Sequence, residues 1–219
     1  MKNIFSKLLA RWCVRATCLS AFFILWGCAS GAYVVPSVSI PSSLIDAFPM
    51  TVGIYYSEEF KTYVYEDPNP KRGQKYVIEL GSNQEQVFNS TIGGLFEKVI
   101  SLESLDSTNV EVDGIFKPEI VSMDLNTPAR SGSDYYEVYV RYNIQLFDPE
   151  GNELHKWTIG AYGKVNRRDY GSVMERTSDA LQQATENALR DASTLIINNF
   201  NPRQRPVVVS NWLKPPSQL

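Results

Sequence analysis

The sequence predicts an α+β domain of two layers, a mostly antiparallel sheet with two helices packed on one face. Three observations predict it. Residues 135–147 alternate without a break, with Tyr136, Val138, Val140, Tyr142, Ile144 and Leu146 on one side and Glu137, Tyr139, Arg141, Asn143 and Gln145 on the other, the period of a half-buried strand. Two other stretches, 82–100 and 172–200, repeat apolar residues at the three-to-four spacing of one helical face. The order ββ(β)α–β–ββ–α then leaves one sheet face under helices and the other open.

The elements follow in order. Residues 29–49 are rich in Ser, Pro and Val, with Asp46 as their one charge. They read as an extended tether, about 3.1 Å per residue if polyproline-like, unless Val34-Val35 or Leu44-Ile45 pack onto the domain. The globular part, 50–202, begins near Met50. Thr51–Tyr56 alternates Val52, Ile54 and Tyr56, and Lys61–Tyr65 and Lys75–Leu80 read as two more strands. Between those two lies Glu66–Gly73, rich in Asp, Asn, Pro and Gly, which is turn chemistry. Ser82 and Glu85 fit a capping box. Behind them Val87, Phe88, Thr91, Ile92, Leu95, Phe96, Val99 and Ile100 continue one helical face as far as Ile100. Gly93-Gly94 inside this helix costs about 1 kcal/mol each relative to alanine, which points to close approach of another backbone.

Phe116–Leu125 reads as a strand whose Pro118 suits an edge position. Past Phe147, Asp148-Pro149-Glu150-Gly151 places Asp at i, Pro at i+1 and Gly at i+3 of a type I turn. Leu154–Val165 returns from it with Trp157, Ile159, Ala161 and Val165 on one face. Ser172 and Glu175 make a second capping box. The helix after it lines one side with Met174, Thr177, Leu181, Ala184, Ala188, Ala192, Leu195 and Ile196, and reaches Phe200 ahead of Asn201-Pro202. Those alanines predict that the helix lies close to the sheet. Residues 203–219 form a Pro-punctuated tail.

No catalytic constellation stands out. The chain has no G-x-S-x-G, no G-x-G-x-x-G and no G-x-x-x-x-G-K-[ST]. His155 is its one histidine, so a Ser-His-Asp arrangement would have to use it. Its place two residues before Trp157 is that of an ordinary strand histidine. Carboxylates such as Glu58-Glu59, Asp106, Glu111 and Asp113 show no acid/base spacing. We therefore expect a non-enzymatic protein with no catalytic residue, cofactor or metal site.

Three groups are candidates for binding. Tyr135, Tyr139 and Tyr162 lie opposite the main apolar row of the hairpin, and aromatic rings with a polar handle suit binding surfaces, although strands favour tyrosine in any case. Arg167 and Arg168, with Lys164, form a basic loop that suits either solvent or the phosphates of an envelope glycolipid. Trp212, behind Val207-Val208-Val209, reads either as a peptide that adds to a partner's sheet edge or as a segment folded back on its own domain.

Residues 1–27 are of another kind. Lys2, Lys7, Arg11 and Arg15 form a basic stretch without acid, and Cys18–Trp26 is an apolar block ended by Gly27. That block is the size of a signal-peptide core and short of the ~20 apolar residues of a spanning helix. A signal peptide of either kind or an uncleaved anchor fits these residues. Four of the 21 Lys+Arg and none of the 24 Asp+Glu lie there, so the remainder is acidic, about −7 at neutral pH. An acidic surface argues against nucleic acid, whose binding needs clustered cations. Of the three cysteines, Cys13, Cys18 and Cys28, Cys28 alone lies beyond residue 27, which excludes an intramolecular disulfide in a processed chain and leaves no thiol set for zinc.

The run Leu25-Trp26-Gly27-Cys28 resembles the lipobox of bacterial lipoproteins, with Trp26 larger than the residue usual there. The resemblance implies cleavage before Cys28 and acylation of its thiol, hence a membrane anchor. In the proteins it resembles, Asp after the lipidated Cys favours inner-membrane retention. Ala29 in that place implies the outer membrane, with the domain facing the periplasm. The layout of Ser82–Ile100, the Asp148–Gly151 hairpin and Ser172–Phe200 is similar to lipopolysaccharide-assembly (LptE-like) lipoproteins and to auxiliary lipoproteins of ABC-type envelope transport. That likeness implies an accessory or assembly factor docking onto an envelope complex, the alternative being a glycan- or glycolipid-binding module.

Overall fold

The computed structural model describes residues 31–40, 46–105, 111–170 and 173–214. Along the chain these form β1 (Ala32–Val34), β2 (Phe48–Tyr55), α1 (Glu58–Lys61), β3 (Val64–Glu66), β4 (Tyr76–Glu79), α2 (Gly81–Gly93), β5 (Phe96–Leu102), β6 (Gly114–Asn126), α3 (Pro128–Ser131), β7 (Tyr135–Phe147), β8 (Glu153–Asn166), α4 (Val173–Asn199) and α5 (Val207–Trp212). Two sheets result, a five-stranded one in the order β5-β2-β6-β7-β8 and a three-stranded one in the order β1-β4-β3. The class is α+β. Both sheets are mixed: β2 pairs parallel with β5 and β6, while the long β6–β7 and β7–β8 ladders are antiparallel.

The hairpin β7–β8 follows from its sequence almost residue by residue. Every even position from Tyr136 to Leu146 is buried, and that face meets the helices. The Tyr142 hydroxyl donates to Gln84 Oε1 of α2 at 3.1 Å, and the Tyr136 hydroxyl to Thr177 Oγ1 of α4 at 3.3 Å. The turn closes with Gly151 N donating to Asp148 O, and Gly151 takes φ 86°, which only glycine adopts without strain. α4 then lays Ala180, Ala184, Ala188 and Ala192, all buried, along the sheet. Opposite them is Gly163 of β8, where an added Cβ would collide with backbone atoms of Ala184 and Ala188. Small residues on both partners set this close approach.

Under the helices Tyr56, Phe60, Phe88 and Tyr142 pack ring to ring at 5.3–5.5 Å. Gln84, fully buried among them, donates to Phe60 O at 2.6 Å, so its amide is satisfied on both sides. Thr91 Oγ1 and Ser193 Oγ, 2.8 Å apart, tie α2 to α4.

Four sequence expectations need correction. The first helix stops at Gly93 instead of running to Ile100, and Phe96–Leu102 is a strand paired with β2. Gly93-Gly94 therefore ends the helix; nothing lies within 4 Å of a Cβ added at Gly93. No Ser82–Glu85 box caps it either, since the N-cap is Leu80 without a side-chain hydrogen bond. Between the first and second predicted strands Ser57 caps an unforeseen short helix, α1, its side chain accepting from Phe60 N at 3.3 Å. Finally, of the segment read as a tether, residues 32–34 form β1 beside β4, and Val34 and Val38 are buried in the core. Leu44-Ile45 and the Ser172–Glu175 box lie outside what is described.

Past Phe116, β6 has no β2 partner on one side. β6 is the middle strand of its sheet and not an edge; Pro118, which offers no N–H, sits where it is paired on one side only.

Candidate functional site

With α2 and α4 on one face of β6–β7–β8, the odd positions of β7 form the outer face. The register sets Glu137 beside Lys164 of β8 and Asn126 of β6, and Tyr139 beside Tyr162 and Asp124. Glu137 is the centre of this patch. It accepts from the Tyr162 hydroxyl at 2.6 Å and from Asn126 Nδ2 at 2.8 Å, and pairs with Lys164 Nζ at 3.5 Å. The Tyr162 hydrogen bond does most to hold the Glu137 carboxyl below its ordinary value. The same bond pushes the Tyr162 phenol up to about 12, so the pair is carboxylate and neutral phenol at neutral pH.

Cations frame the rings. Lys164 Nζ stands 3.9 Å from the Tyr135 ring centre, and the Arg141 guanidinium 5.7 Å from that of Tyr139, both within cation–π range. The Tyr139 ring lies across Gly160, where any side chain would meet its hydroxyl. Further along the face, Thr158 Oγ1 donates to Asn143 Oδ1 at 2.7 Å and Gln145 Nε2 to Glu153 Oε2 at 2.6 Å. The outer edge of β8 is closed by α4, whose Asp191 accepts from Tyr162 N at 2.9 Å, a standard protection of an edge strand.

At the start of β7, Arg167 and Arg168 converge on one carboxylate. Asp134 Oδ1 takes Arg167 at 3.0 Å and Oδ2 takes Arg168 at 2.5 Å. An incoming phosphate would have to compete with Asp134 for both guanidinium groups.

Of the residues singled out from sequence, Tyr135, Tyr139, Tyr162, Arg167 and Arg168 thus lie together on the outer face of the hairpin and its lower end. Trp212 does not join them. It sits in α5, folded back on the domain, with Nε1 donating to Asp113 O at 2.8 Å and its ring 5.7 Å from Phe96 and 6.1 Å from Phe116. Cys28 lies outside the described residues. His155 stands edge-on to Trp157 at 4.8 Å. Sequence reasoning missed Glu137, Asn126 and Asp134, the acceptors and donors that fix the aromatic and basic groups. The β7–β8 register is what sets Glu137 opposite Lys164, while the pairing with Asn126 of β6 and the ion pairs of Asp134 leave no local mark in the sequence.

Among the described residues no group of three or more His, Cys, Asp or Glu could hold a metal ion, and no helix is long and apolar enough to cross a membrane.

No family model matches the chain, and no curated protein sequence matches it. Solved structures do. Protein XCC0632 from Xanthomonas campestris, of the DUF330 family, is 12% identical with a TM-score of 0.51, over 76% of this chain and 92% of that one. That likeness shows a shared fold. A minor lipoprotein from Acinetobacter baumannii is similar at 10% identity and TM-score 0.43, over 74% of this chain and 97% of that one. An uncharacterised lipoprotein B from Nitrosomonas europaea is similar at 15% identity and TM-score 0.42, over 75% and 95%.

Proposed function

We propose that this chain is a lipid-anchored, non-catalytic domain of the bacterial envelope. Acyl chains on Cys28 hold it at the outer membrane with the domain facing the periplasm, and the outer face of β6, β7 and β8 docks an envelope protein. The observation that carries the docking reading is how this face is built. Tyr162 and Arg141 are exposed, yet the rings and charges around them are already held by Glu137, Asn126 and Gly160. Side chains ordered before binding lose little freedom on complex formation, which favours recognition. The anchor adds a second contribution by confining the domain near membrane partners. The glycolipid reading has less support, since Asp134 already occupies both Arg167 and Arg168.

The test is an affinity pull-down of the full-length protein from detergent-solubilised membranes. One envelope protein should co-purify with wild type, less of it with Cys28→Ser, and none with Tyr139→Ala/Tyr162→Ala at an unchanged melting temperature. Equal recovery by that double variant would remove the face from the proposal. A clean preparation without a protein partner would turn the reading toward glycolipid.

A further inference from the structure

Resting on the reading of Cys28 as the acylated residue, we infer that the three-stranded sheet is the surface on which the domain sits on its membrane. Its outer face, together with the loop from Asp67 to Lys75, lies against the bilayer that holds the anchor.

The first ground is the length of chain left between lipid and fold. Ala32 N already donates to Lys75 O at 3.0 Å, and β1 pairs with β4 from that residue on. Three peptide steps separate Cys28 from Gly31, at most about 10 Å when fully extended. A leash this short does not hold the domain off the membrane. Whatever surrounds Gly31 is pressed toward the headgroups.

The second ground is what surrounds it. The exposed side of β1 alternates Gly31, Tyr33 and Val35, while Ala32 and Val34 point inward. Register places Tyr33 next to Val77 and Val64 opposite Glu79. Tyr33, Val35 and Val64 are 61%, 47% and 44% exposed, so three of the exposed large hydrophobic residues crowd onto one very small sheet. The Tyr33 hydroxyl donates to Glu79, leaving a ring with a polar tip, the kind of side chain that collects at the membrane–water interface.

The third ground is the direction of charge. The loop beside Gly31 carries Lys71, Arg72 and Lys75. Of the acids beside it, Glu66 pairs with Lys75 at 3.0 Å, Asp67 is held by Arg130 at 2.6 Å, and Glu79 takes the Tyr33 hydroxyl, so the charge balance sets Lys71 and Arg72 against Glu79. The far end of the molecule is the reverse, with Asp148, Glu150 and Glu153 at the hairpin tip. The two ends lie about 40 Å apart, the length of β7, since Tyr136 at the start of β7 meets Tyr76 of the small sheet at 6.4 Å. In a chain with an acidic excess, this arrangement turns the less acidic end toward anionic headgroups.

The test uses the acylated protein in vesicles of phosphatidylethanolamine and phosphatidylglycerol containing spin-labelled phosphatidylcholine. With Cys28 blocked by its lipid, a fluorescent label goes onto one new thiol, Lys71→Cys, Val64→Cys, Val121→Cys or Glu150→Cys, all at exposed positions. The labels at 71 and 64 should be quenched by the spin label and lose their accessibility to iodide, and those at 121 and 150 should not. Quenching equal at all four sites, or stronger at 150, would overturn the inference. So would a label at 64 that stays open to iodide, the result expected if this patch instead faces a protein. Mass spectrometry and vesicle flotation of the same samples report acylation separately, so an unlipidated Cys28 is told apart from a lipidated domain seated another way.

Discussion

Replacing Gly163 by alanine should force α4 away from the sheet. A Cβ at this position would fall on the Ala184 carbonyl oxygen and the Ala188 amide nitrogen and within 3.1 Å of the Ala184 carbonyl carbon. All three are backbone atoms, so no rotamer change relieves the overlap, and the helix itself must withdraw by on the order of 1 Å. A gap of that size forfeits about a quarter to a half of each dispersion contact it opens, and it opens along Ala180, Ala184, Ala188 and Ala192. Overpacking of a core costs about 1–3 kcal/mol, and a contact with two backbone segments belongs at the upper end. For a domain of this size about 3 kcal/mol corresponds to a fall in Tm of about 6–12 °C. Circular dichroism melts of Gly163→Ala read it directly. Gly93→Ala is the control, because nothing lies within 4 Å of its new Cβ, and it should gain about 0.4–1 kcal/mol through the unfolded state. A Gly163→Ala melt within about 2 °C of wild type would refute the close-approach reasoning.

Arg130→Met should destabilise by about 3–5 kcal/mol in urea titration, because it strands the carboxylate of Asp67, whose side chain is 1% exposed; adding Asp67→Asn should restore part of the loss. Glu137→Gln should lower the urea midpoint at pH 7 by weakening the bonds from Tyr162 and Asn126. Because folding lowers the Glu137 pKa from 4.5, its contribution is present above that value and lost as pH falls through the depressed one, so the wild-type and variant midpoints should converge in acid. Trp212→Ala should cost about 2–3 kcal/mol, less than for a fully buried ring, while leaving partner capture intact, since Trp212 packs on Phe96 and Phe116 and not on the outer face.

What could be read from the sequence was what local chemistry decides. The alternation of 135–147 and the turn Asp148–Gly151 specify a hairpin with no help from the rest of the chain, and the alanines of α4 announced a close partner before Gly163 was known to be it. Where pairing is distant, reading failed. Phe96, Val99 and Ile100 fall at helical spacing from Ile92, and their parallel pairing with β2 leaves no local mark. The local mark present, Gly93-Gly94, was read as a contact within the helix when it was its end. In β1 the buried alternation of Ala32, Val34 and Val38 was there to be seen, but a three-residue strand among Ser and Pro looks like linker. The candidate site was legible as a set of tyrosines and arginines, not as a patch. Between Leu146 and Phe147 the ladder slips by one residue, which a sequence reading cannot count, and one such slip decides which side chains face each other. The pairing of Glu137 with Lys164 and Tyr162 stayed hidden for that reason.

β7 starts beside the small sheet, where Tyr136 meets Tyr76 at 6.4 Å, and ends at the hairpin tip. A domain seated as proposed on that sheet keeps one presentation of the outer face of β6–β8 to a partner held in the same bilayer. Orientation is thereby set by the short leash, and it should be separable from affinity. Inserting twenty Gly-Ser residues after Ala29 gives a coil with a root-mean-square reach of about 25 Å, enough for the domain to lift and turn. Partner capture by the membrane-bound protein should fall, because fewer encounters present the face. Binding by the soluble Cys28→Ser domain should not change with the insertion, since no residue of the face has been touched. If both fall together, the residues around position 29 belong to the interface itself; if neither falls, the short leash has no part in presenting the face.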